Sequence, residues 1–567
     1  MNNPGAGGFS PIRKASWLQS ASLFLREKVI VSNLVGLIGG LCAIVLLMML
    51  REPWNFRLPL YCVILTWTIL RPRAALYLMP FAVPWGSLDI IDVAGLHLNS
   101  ADILVVLLGI GWLLSFGLRP TVSDRDWDTY GARSGPGDRE ASNVPRYLLF
   151  ALLALLGAML LSMRASISIS SSLKEVSKWL EFLVLLLIGS QYLRTRKQIW
   201  TMIVLVCLAG VTQAFLGYLQ AFFDLGPQTF IRDTSLRVYG TFDQPNPFAG
   251  YLNMPLSITL ALALLGSNKF IRLWAALGSV ILAIAVYLTQ SRGGEIAIAV
   301  AALFIVIVGL PHLRKLIALL GLAGLIMIEM FFGGWIPTFV VMPLLKYLGI
   351  IQISLTNPSQ QDFSTAERLA HWIAGVRMFV DHPLTGVGIG NYPDAYPQYF
   401  VTIFVNSLGH AHNYYINIAA ETGSIGLTAY LLFLMAMFVA GGSACNSIHK
   451  KYMQAKAGLE TPLPKVQAPL GLWNKLLALV QPMSISTTTR TQDRYSMLEM
   501  IRNDRALAIG LLAALLSVCV HNLVDDLYVH SLTNLIALLL IAFIRLEGVA
   551  HNVSNNGGNI DYAETAK

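Results

Sequence analysis

Long apolar runs separated by short polar stretches make up most of the sequence. The runs fall near residues 29–50, 57–70, 74–87, 101–118, 147–163, 176–192, 198–223, 247–266, 269–289, 294–310, 315–333, 412–440, 506–521 and 528–545. A helix that crosses the hydrocarbon core of a bilayer needs roughly 20 mostly apolar residues. The pattern therefore predicts an all-α polytopic membrane protein with about 12–14 transmembrane helices, since the short second and third runs can form one re-entrant hairpin.

The composition agrees with a membrane protein. Hydrophobic residues make up 55% of the chain and charged residues 13%, and the mean hydropathy is +0.61. A soluble domain carries about 25% charged residues. Although the net charge is +9, no basic run has interleaved aromatic residues, so we expect no nucleic-acid partner. The five cysteines stand singly and form neither a disulfide framework nor a metal-ligand pair.

The distribution of basic residues among the loops predicts the orientation. With a cytoplasmic N-terminus, the inner loops hold Arg71 and Arg73, Arg194 to Lys197, Lys269 and Arg272, Arg314 and Lys315, and the basic stretch 441–505. The outer loops are 88–100, which has no Lys or Arg, 224–246, and 334–411, where four acidic residues outnumber three basic ones. Apart from Arg51 and Arg57, the positive-inside rule is met, which predicts a multi-pass protein of the cytoplasmic (inner) membrane.

The runs and loops divide the chain into successive segments. These are N-terminal membrane helices (1–118), a cytoplasmic linker (119–146), membrane helices (147–333), a large extracytoplasmic loop (334–411), a membrane helix (412–440), a cytoplasmic insert (441–505), C-terminal membrane helices (506–545) and a cytoplasmic tail (546–567). We expect the linker and the insert to be weakly ordered, with short surface helices such as Leu472–Val480. The first apolar run is too long for a signal-peptide core and is predicted to be an uncleaved span.

Polar motifs concentrate on the predicted outer face. They are Arg237 to Asn246, Gln290 to Gly294, Glu367 to Trp372, Asp381 to Asn391, His410 to Asn413, Glu421 to Gly426 and His521 to Asp526. Because so many of them converge on one side of the bilayer, we predict a functional site on the extracytoplasmic side.

The large outer loop has a helical pattern of its own. Arg368, Trp372, Val376 and Phe379 recur at helical spacing, which predicts an amphipathic helix over about 364–380. The Asp-His-Pro sequence and the Gly-x-Gly-x-Gly run that follow should end this helix in a tight turn. Lying on the membrane surface, the helix would place Arg368 over the mouth of a central cavity.

Two residue types in these motifs suit phosphate and proton chemistry. The planar donor fork of an arginine such as Arg292 or Arg368 grips phosphate and keeps its proton. A histidine such as His412 can accept a proton near ambient pH. An arginine at the end of an apolar span, as Arg292 is, is a functional candidate by default.

At these residues the sequence resembles the O-antigen ligase and O-antigen polymerase superfamily, from about Gly240 to Asp526. The resemblance lies in Gly-x-Phe-x-x-Pro-Asn (Gly240 to Asn246), Ser-Arg-Gly-Gly (Ser291 to Gly294), Arg-x-x-x-Trp (Arg368 to Trp372), His-Pro-Leu-x-Gly-x-Gly (His382 to Gly388), His-Asn-x-Tyr (His412 to Tyr415), Glu-x-Gly-x-x-Gly (Glu421 to Gly426) and, upstream, Lys178 to Glu181.

The resemblance implies a lipid-linked glycosyltransferase that uses no metal and inverts the anomeric centre. It implies that His412 is the catalytic histidine and that Arg292 and Arg368 hold the diphosphate of an undecaprenyl diphosphate-linked glycan. Further candidate substrate-binding residues are Arg237, Asn246, Lys178, Asn413, His410 and Glu421. The expected partners are this donor, a glycan, lipid or protein acceptor, and membrane lipids. The family has about twelve spans and a shorter inner insert, so this chain departs from it in both respects.

Structural alternatives exist for several of these residues. Arg292 can anchor a helix end at the headgroups, Arg368 can pair with Glu367, and His412 can cap a helix. Arg237 and Asn246 suit structural roles equally well. His371 and His382 are interpreted as structural. Glu421 can orient His412 or bond a neighbouring helix, and Asp525 and Asp526 suit a helix start, where the dipole favours acids.

His410 and His412 also resemble a metal pair. Their alternate spacing at a helix entry predicts that the two rings lie apart, and neither a cysteine nor a third histidine adjoins them in the sequence. We therefore predict no metal and no cofactor.

Several functions remain open. Within the family, the acceptor can be a lipid core (ligase), another glycan (polymerase) or a protein (O-oligosaccharyltransferase), and the Arg, Arg and His set favours the ligase. A transporter or flippase of polysaccharide or lipid is the alternative from another class. Such a protein should carry charged residues and broken helices near mid-bilayer in repeated halves, whereas here the polar residues lie at the span ends and no repeat is evident.

Overall fold

The computed structural model describes residues 72–117, 144–333, 354–460 and 485–555, apart from short gaps at 89, 94–95, 233–234, 334 and 360–361, together with a few positions between 59 and 68 and at 335. Fourteen α-helices in these ranges carry the fold. The first seven are α1 (Pro72–Trp85), α2 (Ser100–Gly117), α3 (Arg146–Ser162), α4 (Ile169–Tyr192), α5 (Arg196–Phe223), α6 (Pro245–Leu265) and α7 (Lys269–Leu288). The others are α8 (Arg292–Gly309), α9 (Arg314–Phe332), α10 (Phe363–Asp381), the single turn α11 (Tyr392–Ala395), α12 (Tyr414–Glu460), α13 (Ile485–His521) and α14 (Leu532–Asn555).

Local signals in the sequence explain where several helices begin. The Thr195 side chain accepts from the backbone N–H of Gln198, and the Gln198 side chain accepts in return, which forms a capping box at the start of α5. Ser168, Asn268 and Ser291 cap α4, α7 and α8 in the same way through one side-chain oxygen each. These caps fix the polar start of each apolar helix.

Within the described ranges, the strands form two short antiparallel hairpins. Ile90–Val93 pairs with Leu96–Asn99, so that Ile90 lies opposite Asn99. Ile231–Arg232 pairs with Ser235–Leu236. Both hairpins lie in loops that the sequence predicted to be outer, and neither was predicted.

Helix α6 lies at the centre of the bundle. It packs against α5, α7, α8 and α13, and nearly all its side chains are buried. A second layer packs α12 against α3, α13 and α14, and α4 against α14. Seven helices in the described ranges are long and apolar enough to cross a membrane: Arg146–Ala165, Arg196–Phe223, Pro245–Leu265, Lys269–Leu288, Arg292–Gly309, Tyr414–Ala457 and Arg494–His521.

The predicted polar motifs meet at one end of the bundle, which we call the His412 end. Asn99 Nδ2 donates to Ser531 Oγ (2.7 Å), and His530 lies 3.8 Å from Asp243. At the same end, Arg237 donates to the backbone oxygen of Thr289, and Arg368 lies 4.0 Å from Asp525. The other end of the bundle, where α4 and α14 end, is called the opposite end.

The prediction of an all-α polytopic membrane protein is confirmed. Every predicted span from 74–87 onwards coincides with a described helix, and the amphipathic helix predicted over 364–380 is α10. The expectation that 441–505 is weakly ordered is wrong for much of its length, because α12 continues to Glu460 and α13 begins at Ile485. The predicted spans 29–50 and 57–70, most of the linker and the helix Leu472–Val480 lie wholly or mostly outside the described residues.

Candidate functional site

His412 lies in a tight turn at the start of α12. Its φ is +51°, in the left-handed region, and Gly409 just before it has a φ of +91°. The Asn413 side chain caps α12 by accepting from the backbone N–H groups of Tyr415 and Ile416. The Tyr414 N–H donates to the backbone oxygens of Asn522 (2.9 Å) and Asp525 (3.1 Å), so the loop after α13 fixes this turn.

The His412 ring pairs with the carboxylate of Asp525. Its Nδ1 lies 3.4 Å from Asp525 Oδ1, and Asp525 is only 2% exposed. Burial alone would raise the pKa of Asp525, but the bond to His412 and the charges of His412 and Arg368 outweigh it and hold that pKa well below its usual range. His412 Nε2 is buried and has no hydrogen-bond partner among the described residues. One ring nitrogen of His412 is therefore bound to Asp525, and the other is available to bind a ligand.

Two more histidines adjoin His412. The His410 ring lies 4.4 Å from the His412 ring between centroids, and His410 Nδ1 accepts from the His412 backbone N–H (3.0 Å). The His371 ring is buried against Tyr396 and lies 5.6 Å from the His412 ring. Burial and the nearby His412 charge lower the pKa of His410 to about 3 and that of His371 to about 4. Both are therefore neutral at pH 7.

Helix α10 carries two site residues one turn apart. Arg368 Nη2 lies 4.0 Å from Asp525 Oδ2, and Trp372 Nε1 donates to the backbone oxygen of His412 (3.1 Å). The i, i+4 spacing puts both side chains on one face of the helix. Arg368 thus lies beside the Asp525 carboxylate, and its predicted position over the mouth of a central cavity stays a prediction.

Arg237 lies close enough to Arg292, Arg368 and Asp525 for their charges to act on it. Arg237 donates from Nη2 to Asn246 Oδ1 (3.1 Å) and from Nε to the Thr289 backbone oxygen (3.0 Å). Burial and then the charges of neighbouring arginines, Arg368 and Arg292 among them, lower the pKa of Arg237 to about 10, which leaves it charged at pH 7. Arg292 is the first residue of α8, and a Cβ on the following Gly293 would lie 2.6 Å from the Val524 side chain in the Asp525 loop.

Glu421 and Gly423 hold a loop and do not touch His412. Helix α12 is broken at Gly423, where φ is +66°, and a Cβ there would lie 2.2 Å from the Leu384 carbonyl carbon. The loop after α10 enters this break: the Gly388 N–H donates to the Glu421 backbone oxygen (2.9 Å), and Glu421 Oε1 accepts from the Tyr392 N–H (3.0 Å). The tight turn predicted at Gly386 to Gly390 is present in the structure. A glycine is required at position 423, because its φ is positive and a side chain would overlap Leu384.

Lys178 lies in a separate polar pocket. Its Nζ donates to Glu175 Oε2 (2.6 Å) and to the Tyr528 backbone oxygen (3.3 Å). Asp526, in the same pocket, accepts from the Tyr528 N–H (2.8 Å). Burial and the charge of Glu175 raise the pKa of Asp526 to about 7. Lys178 thus joins α4 to the segment that precedes α14.

His410, His412 and Asp525 could hold a metal ion, since one ligand atom of each lies within 4.8 Å of the others. The expectation that the two histidine rings lie apart is wrong, because the left-handed backbone at His412 folds them together. The surrounding charge disfavours a cation, however: Arg368 lies 4.0 Å from Asp525, and the charges of Arg237 and Arg292 act in the same region. The set fits an anionic ligand better than a metal.

An apolar cavity of about 240 Å³ opens beside the site between α10 and α12. Its walls include Val376, Phe379, Ile416 and Leu427, and Asn413 contributes its polar edge. Because Asn413 follows His412 directly, the cavity begins next to the histidine. Its lining suits a hydrocarbon chain.

Asp525 is the main residue that the sequence did not assign to the site. It was interpreted as an acid favoured at a helix start, but it lies between α13 and α14 and faces His412 across 113 sequence positions. The sequence indicated that Asp525 is near the site only in one way, because His521 to Asp526 is one of the polar motifs on the predicted outer face. No local pattern specifies which histidine such an acid meets.

One family model matches the chain. It is described as O-antigen ligase, and it covers residues 277–431. No curated protein matches. The matched region includes Arg292, Arg368 and His412, whereas Asp525 and Arg237 lie outside it. The resemblance to the O-antigen ligase superfamily is thereby confirmed, and it supports a glycan transferase of this general kind in a multi-pass membrane protein.

Proposed function

We propose that this protein transfers a glycan from an undecaprenyl diphosphate carrier to an acceptor hydroxyl at the outer face of the cytoplasmic membrane. The observation that carries the proposal is the His412 ring, bound through Nδ1 to buried Asp525 and free at Nε2, with Arg368 beside the same carboxylate. The match to the O-antigen ligase family supports glycan transfer in general.

His412 is the proton acceptor in this proposal. The acceptor hydroxyl donates a hydrogen bond to Nε2, and its oxygen attacks the anomeric carbon of the donor sugar while its proton passes to the ring. Asp525 keeps the Nδ1–H oriented and stabilises the imidazolium that forms, as the acid of a catalytic triad does. One displacement forms the new glycosidic bond, so the anomeric centre inverts.

The arginines receive the leaving group. The bond between the anomeric carbon and the diphosphate oxygen breaks with its electron pair on the oxygen, and the added negative charge lies near Arg368, Arg292 and Arg237. An arginine guanidinium donates two parallel hydrogen bonds to phosphate oxygens and keeps its proton. In a partly buried site its attraction to the phosphate is stronger than in water. Since the chain supplies this charge itself, the transfer needs no metal ion.

The apolar cavity beside Asn413 supports a lipid-linked substrate. A polyprenyl or acyl chain seated between α10 and α12 would bring its polar head to His412. The bias of basic residues toward the loops of the opposite end supports an extracytoplasmic site, since the positive-inside rule puts that end in the cytoplasm.

We favour the ligase among the possible acceptor classes, and a polymerase or a protein O-oligosaccharyltransferase would use the same chemistry. A transporter or flippase is less well supported. The charged groups of the site lie where α8 and α12 begin and beside the end of α13. A transport pathway needs such groups near mid-bilayer instead.

Reconstitution tests the proposal. The full chain in nanodiscs is given a polyprenyl diphospho-glycan and, in parallel, a lipid core, a glycan and a protein acceptor, and transfer is followed by gel shift and mass spectrometry. His412→Ala should lower transfer by a factor of about 1000 or more, because it removes both the general base and the group that orients the acceptor hydroxyl. His382→Ala, which removes an exposed histidine at the end of α10, is the matched control and should transfer normally.

Chelation separates the proposed mechanism from a metal-dependent one. Transfer should be unchanged after incubation with EDTA and dialysis into metal-free buffer. Near-normal transfer by His412→Ala, or loss of transfer with EDTA that zinc restores, would overturn the proposed mechanism. Movement of the lipid-linked glycan across the bilayer without transfer would assign a flippase.

A further inference from the structure

An arginine at the opposite end of the bundle is buried with two guanidinium nitrogens that no described residue pairs. Arg545 on α14 is only 3% exposed, and its Nε and Nη2 atoms are buried with no hydrogen-bond partner among the described residues. Since α14 begins at the His412 end, Arg545 lies about 20 Å from that end at the rise of an α-helix. It takes no part in the candidate site.

Six other arginines near the opposite end have hydrogen-bond partners. Arg194, Arg196, Arg272, Arg314, Arg502 and Arg505 each donate to a carboxylate or to a backbone oxygen. The best paired is Arg196, whose Nε lies 2.8 Å from both carboxylate oxygens of Asp504. A buried guanidinium without a counter-charge is expensive, so the contrast indicates an anionic group that completes the pocket at Arg545.

Three helices converge at this pocket. A Cβ on Gly189 of α4 would lie 2.7 Å from Ile541 of α14 and 3.4 Å from Leu76 of α1. One turn further toward the opposite end, α14 carries Arg545 and α1 carries Arg73. The end of α4 follows at the same level, where Leu193 is fully buried.

The local field in the pocket is positive. Arg194 is close enough to repel Arg545, and Arg73 lies in the first turn of α1, whose N-terminal dipole adds partial positive charge. Nearby acids are already engaged: Asp504 binds Arg196, and Glu547 accepts from Ser443 and Ser447. The missing ligand is therefore an anion from outside the described chain.

We propose that this pocket binds the phosphate of an anionic phospholipid, with Arg545 as its central donor and Arg73 and Arg194 at its rim. A guanidinium fork matches two phosphate oxygens. The pocket lies between helix ends of a membrane bundle, where lipid headgroups are the most abundant anions, and basic pockets between membrane helices bind such headgroups. This proposal does not depend on the proposed transferase activity.

Thermal stability of the purified full chain tests this proposal. In a neutral detergent, phosphatidylglycerol should raise the unfolding midpoint by about 3 °C more than phosphatidylcholine at the same mole fraction, because a ligand of the folded state stabilises it. Arg545→Met, which keeps the length and apolar stem but removes the charge, should lose this difference. Lys269→Met removes an exposed cation from the same end of the bundle and should keep it.

Native mass spectrometry of the unaltered chain gives a second readout that needs no variant. One phosphatidylglycerol should be retained in preference to phosphatidylcholine from an equal mixture. Equal retention of both lipids, or an undiminished phosphatidylglycerol shift in Arg545→Met, overturns the proposal. An equal shift with inorganic phosphate assigns a soluble anion instead. A loss of stability in Arg545→Met that no lipid affects assigns a carboxylate of the chain itself.

Discussion

The pairing of Asp525 with His412 makes the sharpest prediction. Asp525→Asn keeps the shape of the side chain and can keep an oxygen as acceptor for the Asp526 N–H, which now donates to Asp525 Oδ1 (2.9 Å). It removes the negative charge that lies 3.4 Å from His412 Nδ1. The change therefore isolates the electrostatic role of Asp525 from its role in folding the loop.

The distance sets the size of the effect. At 3.4 Å, two unit charges attract by about 5 kcal/mol with an effective dielectric constant of about 20. Arg368, at 4.0 Å from the other carboxylate oxygen, already neutralises part of this attraction. A net loss of about 2–3 kcal/mol for the imidazolium-like transition state corresponds to a fall of about 30- to 160-fold in kcat.

The assay is glycan transfer in nanodiscs at saturating donor. Asp525→Asn should lower kcat with little change in KM, because the imidazolium-like transition state loses its counter-charge. Asp526→Asn is the matched control, since Asp526 accepts from the Tyr528 N–H and has no described contact with His412. A folded Asp525→Asn protein with kcat within threefold of wild type would refute the assignment, as would an equal loss in Asp526→Asn.

Three further predictions follow from the same region. Arg368→Gln should lower transfer by about 10- to 100-fold, since it removes a charge-assisted contact to phosphate, whereas Arg377→Gln on the exposed side of α10 should have no effect; equal rates for both in the transfer assay would contradict this. Gly423→Ala should lower the yield of folded protein in size-exclusion chromatography by severalfold. The new Cβ would lie 2.2 Å from the Leu384 carbonyl carbon, and the φ of +66° is strained for alanine. A normal elution profile would contradict the role given to the helix break. Asp526→Asn should raise the unfolding midpoint more at pH 8 than at pH 5. Burial raises the folded-state pKa of this carboxyl to about 7, so the stability of the wild type falls as pH rises from about 4, the ordinary pKa of an aspartate in an unfolded chain, to about 7. An equal gain at both pH values would contradict this.

Much of the helical framework could be predicted because each apolar run carries its own signal. The amphipathic helix α10 was placed within a residue of its observed ends, Phe363 and Asp381, by side chains three and four positions apart. Hydropathy gives no comparable signal at the end of a span. It therefore stopped the predicted span at residue 440, although α12 continues through polar residues to Glu460.

The contacts of the candidate site could be predicted less well than its residues. Arg292, Arg368 and His412 stand in recognisable motifs, but the pairing of His412 with Asp525 joins positions 113 residues apart. The closeness of the His410 and His412 rings depends on one left-handed residue at a turn. Such backbone angles are fixed by long-range contacts, here the bonds from the Tyr414 N–H to the loop after α13. Local sequence patterns do not contain them.

Both ends of the described bundle contain buried polar atoms that lack a hydrogen-bond partner. Among the residues that the structure describes, His412 Nε2 is such an atom at one end, and Arg545 Nε and Nη2 are such atoms at the other. A buried group that lacks a hydrogen bond destabilises the free protein, so each is best explained by a ligand that completes it. Both proposed ligands are amphiphiles whose phosphates lie at headgroup depth and whose chains enter sideways from the bilayer. The bundle thus needs no water-filled channel to reach either one, which agrees with polar residues gathered at helix ends and with the apolar interior around α6.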